Sequence, residues 1–111
     1  MVGKLGDDDI GRSTLKNFKD LGVNTEYIST AVGTASGVAA INVIQGGQNS
    51  IVIAPGANIL LNQSDLEVAK EVITGCKVLL CQNEIHPDIT LAAMLMAKGK
   101  GPLVLTISCF V

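Results

Sequence analysis

Two short apolar runs with a helical pattern between them, in residues 77–107, constrain the fold more than any other part of the chain. "KVLLCQ" and "PLVLTI" are typical of buried strands, and we expect the first to be covered on both faces. Between them, "PDITLAAMLMAKGKG" begins with proline, which favours a helix start, and repeats apolar residues at helical spacing. A strand, helix and strand in this order form a βαβ unit with parallel strands and a right-handed crossover. The pattern therefore predicts an α/β fold with a parallel sheet.

Residues 6–31 predict a helix followed by a short strand. "GDDDIGRSTLKNFKDLG" opens with aspartates, which suit a helix amino terminus, and Asp7 or Asp8 is the expected cap. Gly22 is placed to end this helix, because glycine readily adopts the left-handed conformation found there. "TEYIS" then has the composition of a strand.

Residues 38–44 and 50–54 predict a β-hairpin. Both segments are rich in β-branched residues, and "QGGQN" between them supplies turn-forming residues. Apolar and polar residues alternate only weakly in the first arm, so we expect both of its faces to meet protein or ligand.

The segment "DLEVAKEVITG" predicts a single helix after the hairpin. Asn62 or Ser64 is the expected cap, and Gly75 is expected just beyond the last turn. The apolar residues that recur at helical spacing, and so define its buried face, are Leu66, Ala69, Val72 and Ile73.

The composition excludes several classes of function. The 111 residues form one domain or part of one, with 48% apolar residues and a net charge of −2. The small negative charge and the presence of three aromatic residues offer no basis for binding nucleic acid or an anionic membrane. No apolar run approaches the roughly 20 residues of a membrane span. Cys76, Cys81 and Cys109 form no CxxC pair, so we interpret them as reduced thiols of a soluble, cytoplasmic protein.

The polar residues Gln82, Asn83 and Glu84 follow an apolar strand directly. Ligands of open parallel sheets bind beyond the carboxyl ends of the strands, so Glu84 is a candidate ligand-binding group. Strand-to-helix loops are commonly polar for no functional reason, and the strand end alone leaves both interpretations open. His86 has no acid or cysteine partner at a diagnostic spacing and is interpreted as a loop histidine.

Two other clusters do not match a known chemical pattern. Asp7, Asp8 and Asp9 lack the alternation and the later glutamate of a calcium loop, and a charged helix start explains them. The glycines of "QGGQN" and "KGKG" form neither GxGxxG nor GxxxxGK[ST], so they predict turns and no phosphate loop.

Several ordered motifs together resemble the PfkB-type carbohydrate kinase family, in particular its ribokinase-like members. The likeness runs from about residue 2 to residue 105. The matched positions are Gly6, Asp8 and Gly11 of "GxDxxG"; Gly37, Ala39, Ile41 and Val43, with Ser36 in place of threonine; Gly47, Asn49, Ile51, Ile53, Gly56, Ala57 and Asn58; and Gln82 and Glu84 of "QxE".

The resemblance implies a partial ribokinase-like, doubly wound α/β sheet whose hairpin belongs to the lid region. Intact members transfer the γ-phosphoryl group of ATP to a sugar, with Mg²⁺ and a monovalent cation. Ribose is the implied sugar, with Glu84 accepting hydrogen bonds from its hydroxyl groups and with Ala39 and Ile41 facing it from the lid.

The same resemblance makes residues 1–111 an incomplete carbohydrate kinase domain. The family's early "GGKGAN" sugar segment, its "NxxE" segment and its late "GAGD" segment, which carries the base and the anion hole, do not occur, and Ile107 replaces a nucleotide-side asparagine. We therefore predict no catalytic residue, no strong binding of ATP or cations, and weak or no binding of ribose. The alternative to a kinase is a non-enzymatic fragment that forms a homo- or hetero-dimer through its lid strands. An unrelated nucleotide-binding α/β domain is disfavoured because no phosphate loop follows a first strand.

Overall fold

The computed structural model describes residues 1–99 and 103–107, which form strands, α-helices and one 3₁₀ helix. The strands are β1 (Val2–Gly6), β2 (Tyr27–Ala31), β3 (Val38–Val43), β4 (Asn49–Ala54), β5 (Val78–Gln82) and β6 (Leu103–Ile107). The helices are α1 (Asp9–Asp20), α2 (Gln63–Val68), α3 (Lys70–Gly75) and α4 (Pro87–Lys98), with the 3₁₀ helix at Gly56–Leu60.

The strands pair in three two-stranded sheets. β1 pairs with β2 and β5 pairs with β6, both in parallel, whereas β3 and β4 form an antiparallel hairpin. The α/β class, the βαβ unit and the hairpin are therefore confirmed. The two parallel pairs are not hydrogen-bonded to each other within the described residues, so they form separate two-stranded sheets.

A small apolar core lies between the helices and the parallel strands. It is built from Leu66, Ala69 and Ile73 of the α2–α3 segment and from Ala93 and Ala97 of α4. Val2 of β1 and Leu79 of β5 pack against the same core. The core thus connects the two parallel pairs, which share one helical layer.

The helix predicted over "DLEVAKEVITG" is two helices in the structure. Asn62 caps α2 and forms a capping box with Asp65, as expected, but the helix breaks at Ala69, where α3 begins. Val72 is exposed, so its predicted place on the buried face was wrong. Gly75 is the last residue of α3 and has no positive φ, so it does not form the left-handed cap that was expected.

The prediction that β5 is covered on both faces was also wrong for the chain by itself. Val78 and Leu80 of β5 are exposed while Leu79 between them is half-buried, so helices cover only one face of this strand. The first arm of the hairpin, β3, is exposed on both faces. No helix of the described residues is long and apolar enough to cross a membrane.

Candidate functional site

Asp8 organises the loop that leads into the hairpin. It caps α1, as predicted: its Oδ1 accepts hydrogen bonds from the Gly11 amide at 2.8 Å and from Ser36 Oγ at 2.7 Å. Its Oδ2 accepts from the Ser36 amide at 2.9 Å, and Ser36 Oγ accepts in turn from the Gly6 amide at 3.0 Å. The Ser36 hydroxyl, followed by the two amide groups, lowers the pKa of Asp8 to about 2.

Glycines of the matched motifs lie where the backbone passes too close for a side chain. A Cβ on Gly6 would lie 2.3 Å from the Thr34 carbonyl oxygen, and one on Gly11 would lie 2.2 Å from the Gly6 carbonyl oxygen. Gly56 has a φ of +51°, and a Cβ there would lie 2.5 Å from the Ala35 carbonyl oxygen. The "GxDxxG", "SG" and "GAN" motifs therefore meet in one tightly packed junction, which fixes the base of the hairpin.

A second polar cluster ties the first two strands to α2. Lys4 Nζ of β1 donates to Asp65 Oδ2 at 2.7 Å, and Ser29 Oγ of β2 donates to Asp65 Oδ1 at 3.1 Å. Burial raises the pKa of Asp65, but hydrogen bonds from Lys4, the Asn62 amide and Ser29 outweigh it, so the pKa lies below its ordinary value. This cluster holds the parallel pair β1–β2 against the helical layer.

Glu84 lies in the turn between β5 and α4, as the sequence predicted. Its side chain is half-buried, and its amide donates a hydrogen bond to the side-chain oxygen of Gln82. The turn is thereby folded back on the end of β5, beyond the carboxyl end of a parallel strand. His86, two residues later, is exposed at the start of α4.

Ala39 and Ile41 lie on one face of the hairpin, and that face is the more apolar of the two. Their cross-strand partners are Ile53 and Ile51, whereas the opposite face includes the pair Asn42–Ser50. Both Ala39 and Ile41 are exposed. Neither they nor Glu84 line the cavity beside β5.

The described residues offer no complete set of metal ligands. Within residues 1–99 and 103–107, no three His, Cys, Asp or Glu side chains come together to hold an ion. Cys76 and Cys81 are free thiols, and burial, with a smaller effect from Cys76, raises the pKa of Cys81. The sequence also diverges from the family pattern over Thr106–Val111, and residues 108–111 of this end, with Cys109, lie outside the described residues.

A family model described as pfkB family carbohydrate kinase matches residues 1–106. The chain belongs to this family. The predicted resemblance is therefore confirmed over nearly the whole length of the chain.

Among the pfkB kinases, this chain is similar to curated ribokinases. It is 45% identical over 98 residues to the ribokinase of Dictyostelium discoideum and 42% identical over 101 residues to that of Mus musculus. The matches cover 88% and 91% of this chain but 31% of each ribokinase. The chain thus spans about a third of the length of these relatives.

The fold is similar to that of a solved ribokinase. The structure of Arabidopsis thaliana ribokinase complexed with ribose and ATP matches 95% of this chain with a TM-score of 0.76 at 28% identity. The match covers 35% of that structure. The partial ribokinase-like fold expected from the sequence is confirmed by this likeness.

Sequence reasoning predicted the capping role of Asp8 but missed its contact with Ser36. Their motifs were recognised separately, but nothing in either motif says that the two meet. The sequence offered one signal: glycines lie close to both residues, with Gly6 near Asp8 and Gly37 next to Ser36. Glycine lets two backbone segments approach closely, so that a carboxylate on one can accept a hydrogen bond from a hydroxyl on the other.

Proposed function

We propose that this chain is of ribokinase lineage and carries part of the ribose-binding side of such a kinase. The observation that supports this most is its identity of 42–45% to two ribokinases over about nine-tenths of its length. Within the family, ribose is favoured as the sugar because these relatives are ribokinases and a similar solved structure holds ribose.

In this proposal Glu84 accepts hydrogen bonds from ribose hydroxyl groups. A carboxylate has two acceptor oxygens, and charge-assisted hydrogen bonds from adjacent hydroxyls are stronger than neutral ones. The position of Glu84 beyond the carboxyl end of β5, in a turn fastened by Gln82, supports this role. Its half-buried side chain is partly pre-organised and remains open to a ligand.

Ala39 and Ile41 would contact the sugar ring from the hairpin. The exposed apolar face on which they lie suits the C–H side of a sugar, and the junction at Asp8 and Ser36 fixes the base of that hairpin. Closure of the hairpin over Glu84 would then bring the three residues together.

By itself this chain would not transfer phosphate. Phosphoryl transfer needs a base, an anion cradle and bound metal, and the 111 residues contain no "GAGD" segment. ATP, Mg²⁺ and a monovalent cation would be used by the intact kinase and would bind poorly here, and ribose would bind weakly. A cytoplasmic location and the lack of a nucleic-acid partner stay predictions.

A direct assay of ribose phosphorylation tests the catalytic part of this proposal. The purified chain, ATP, Mg²⁺, K⁺ and ribose should yield no ribose 5-phosphate above a no-enzyme control, while intact Mus musculus ribokinase serves as the positive control. Loss of a single anion-hole donor costs about 10²–10³-fold in rate. A rate near that of the intact enzyme would overturn the claim.

Ribose titration followed by NMR tests the binding part. Shifts should concentrate on residues 82–86 and on the apolar face of the hairpin. Glu84→Gln should weaken binding by about tenfold, the loss expected for one charge-assisted hydrogen bond, whereas Glu71→Gln, an exposed carboxylate on α3, should not. Equal affinity of both variants, or shifts confined to other regions, would refute the assignment of Glu84.

A second function is favoured by the exposure of the hairpin. Ile41, Val43 and Ile53 on its apolar face are 59%, 68% and 50% exposed, and we propose that this face joins a second copy or an intact kinase subunit. Sedimentation velocity should show association that Ile53→Lys abolishes. Ser50→Lys, on the opposite face, is the matched control; an unchanged sedimentation profile for Ile53→Lys would exclude this face.

A further inference from the structure

A cavity of about 270 Å³ lies between the two parallel sheets. Its lining includes residues 1–5, from the β1 side, and residues 79–82, from β5. Side chains of a strand point alternately to the two faces of its sheet, so a cavity against a face would meet every second residue. Contact with consecutive residues shows that the edges of β1 and β5 border this cavity.

Both edges have unused pairing capacity within residues 1–99 and 103–107. β1 pairs there only with β2 and β5 only with β6, so each strand retains one edge on the cavity side. Val2 at the start of β1 and Leu79 near the start of β5 pack against the same core. The amino-terminal parts of the two strands therefore lie against the same core.

Helices close the cavity above and below the plane of the strands. Lys4 of β1 faces α2, where it binds Asp65, whereas Leu5 faces the other side and lies beside Leu15 of α1. Phe18 of α1 also lines the cavity, and so does Ile73 of α3 from the opposite layer. An occupant between the strands would consequently have apolar surroundings on both faces.

A buried hydroxyl in the cavity wall is unsatisfied. Thr90 of α4 lines the cavity, is 7% exposed, and its Oγ1 has no hydrogen-bond partner among the described residues. Buried hydroxyls ordinarily have a partner, because losing water without one is costly. The oxygen atom itself has almost no accessible surface, so the case for an occupant depends on the two strand edges.

We propose that this cavity is a strand slot: it binds one extended segment that pairs in parallel with β1 on one side and with β5 on the other. The occupant has about five residues, the length of its neighbours, and is apolar on both faces. It must also have both edges free. Every strand of the described residues already uses one edge, so a second copy of this chain with the same strand pairing cannot supply the segment.

The source we assign is a pfkB-family polypeptide, in a part that this chain does not match. The ribokinases of Dictyostelium discoideum and Mus musculus have 69% of their length outside the match, since it covers 31%. The chain would thus bind a kinase partner by strand addition. This inference is independent of the proposed sugar chemistry and of association through the hairpin.

Peptide binding tests the slot directly. Fluorescein-labelled peptides of about twelve residues should tile the parts of Mus musculus ribokinase that this chain does not match, and fluorescence anisotropy should measure their binding to the whole chain. One apolar peptide, or two overlapping ones, should bind saturably and raise the melting temperature. Absence of saturable binding by every peptide would overturn the proposal.

Backbone methylation separates strand pairing from general hydrophobic attraction. Replacing alternate amides of the binding peptide with N-methyl amides removes donors and leaves every side chain in place. If the peptide pairs with both strands, each of the two alternate sets of methyl groups should weaken binding by about tenfold or more. Unchanged affinity for both methylated peptides would refute strand addition.

A matched pair of glycine variants locates the binding site on the chain. A Cβ on Gly3 would meet no other atom within 4 Å, and Gly3 lines the slot; Gly3→Phe should therefore fit the free chain and weaken the peptide by about tenfold. Gly75 has equal space but does not line the slot, so Gly75→Phe should leave binding unchanged. Equal affinity of both folded variants would place the peptide elsewhere.

Discussion

Replacing Asp65 with asparagine should destabilise the chain more than any other single loss of charge among its ion pairs. Asp65 and Lys4 are 15% and 13% exposed, whereas the side chains of the other three pairs in the described residues are about half or more exposed. The carboxylate holds Lys4 of β1, Ser29 of β2 and the Asn62 amide at the start of α2. An amide of the same shape removes the charge and leaves the Lys4 ammonium almost enclosed.

The magnitude follows from this enclosure. Removing one partner of a buried ion pair costs about 3–5 kcal/mol. The loss here should be smaller, about 2–3 kcal/mol, because the pair is not fully enclosed and the asparagine amide oxygen can still accept one hydrogen bond. For a domain near 100 residues each kcal/mol shifts the melting temperature by about 4–8 °C. Asp65→Asn should therefore lower it by about 10–20 °C.

Thermal unfolding followed by far-ultraviolet circular dichroism measures this shift. Asp20→Asn is the matched control, because Asp20 pairs with Lys16 on the exposed side of α1 and such pairs contribute less than about 1 kcal/mol. Lys4→Met combined with Asp65→Asn should recover part of the loss, since it removes the unpaired ammonium. Equal melting temperatures for Asp65→Asn and Asp20→Asn would refute the reasoning.

Three further predictions concern the junction at the base of the hairpin. The pKa of Asp8 is lowered from 3.8 to about 2, so the charged carboxylate stabilises the fold fully above about pH 4 and this contribution is lost as the pH falls to about 2. Melting temperatures measured over this range should therefore fall less steeply in Asp8→Asn than in the unchanged chain. Ser36→Ala should cost about 1–3 kcal/mol in chemical denaturation, and an NMR titration should show the pKa of Asp8 returning towards 3.8; an unchanged pKa would contradict the main role of the hydroxyl. Gly56→Ala should cost about 1–3 kcal/mol or more from strain and contact with Ala35, whereas Gly75→Ala, where a Cβ has room, should be neutral or slightly stabilising.

The parts of the fold that sequence patterns predicted are those in which local preferences decide the structure. The cap of α1 at Asp8, the end of that helix at Gly22 with its φ of +72°, the hairpin and the proline start of α4 all depend on neighbouring residues. The break at Ala69 was not predictable in this way, because the apolar spacing continues through it without a local stop signal. β1 was also missed, since a five-residue strand of mixed polarity carries little periodic signal.

The candidate site was predictable only residue by residue. A strand-end rule placed Glu84 beyond β5, and cross-strand alternation placed Ala39 and Ile41 on a common face. Their mutual arrangement depends on where the hairpin lies relative to the parallel strands, and no local pattern encodes that placement. The strand slot was equally hidden, because it arises from two strand edges that are more than seventy residues apart in the sequence.

The exposed surface of the chain explains why association should accompany its function. The chain exposes 7498 Å², whereas a folded monomer of 11.5 kDa exposes about 5,800 Å². The surplus of about 1,700 Å² is about twice the roughly 800 Å² that each partner buries in a standard protein interface. Its apolar part includes the outer face of β5 and the hairpin face around Ile41, two places where the strand pattern predicted cover and the chain provides none. We therefore expect association with a polypeptide partner, as proposed above, to bury part of this surplus.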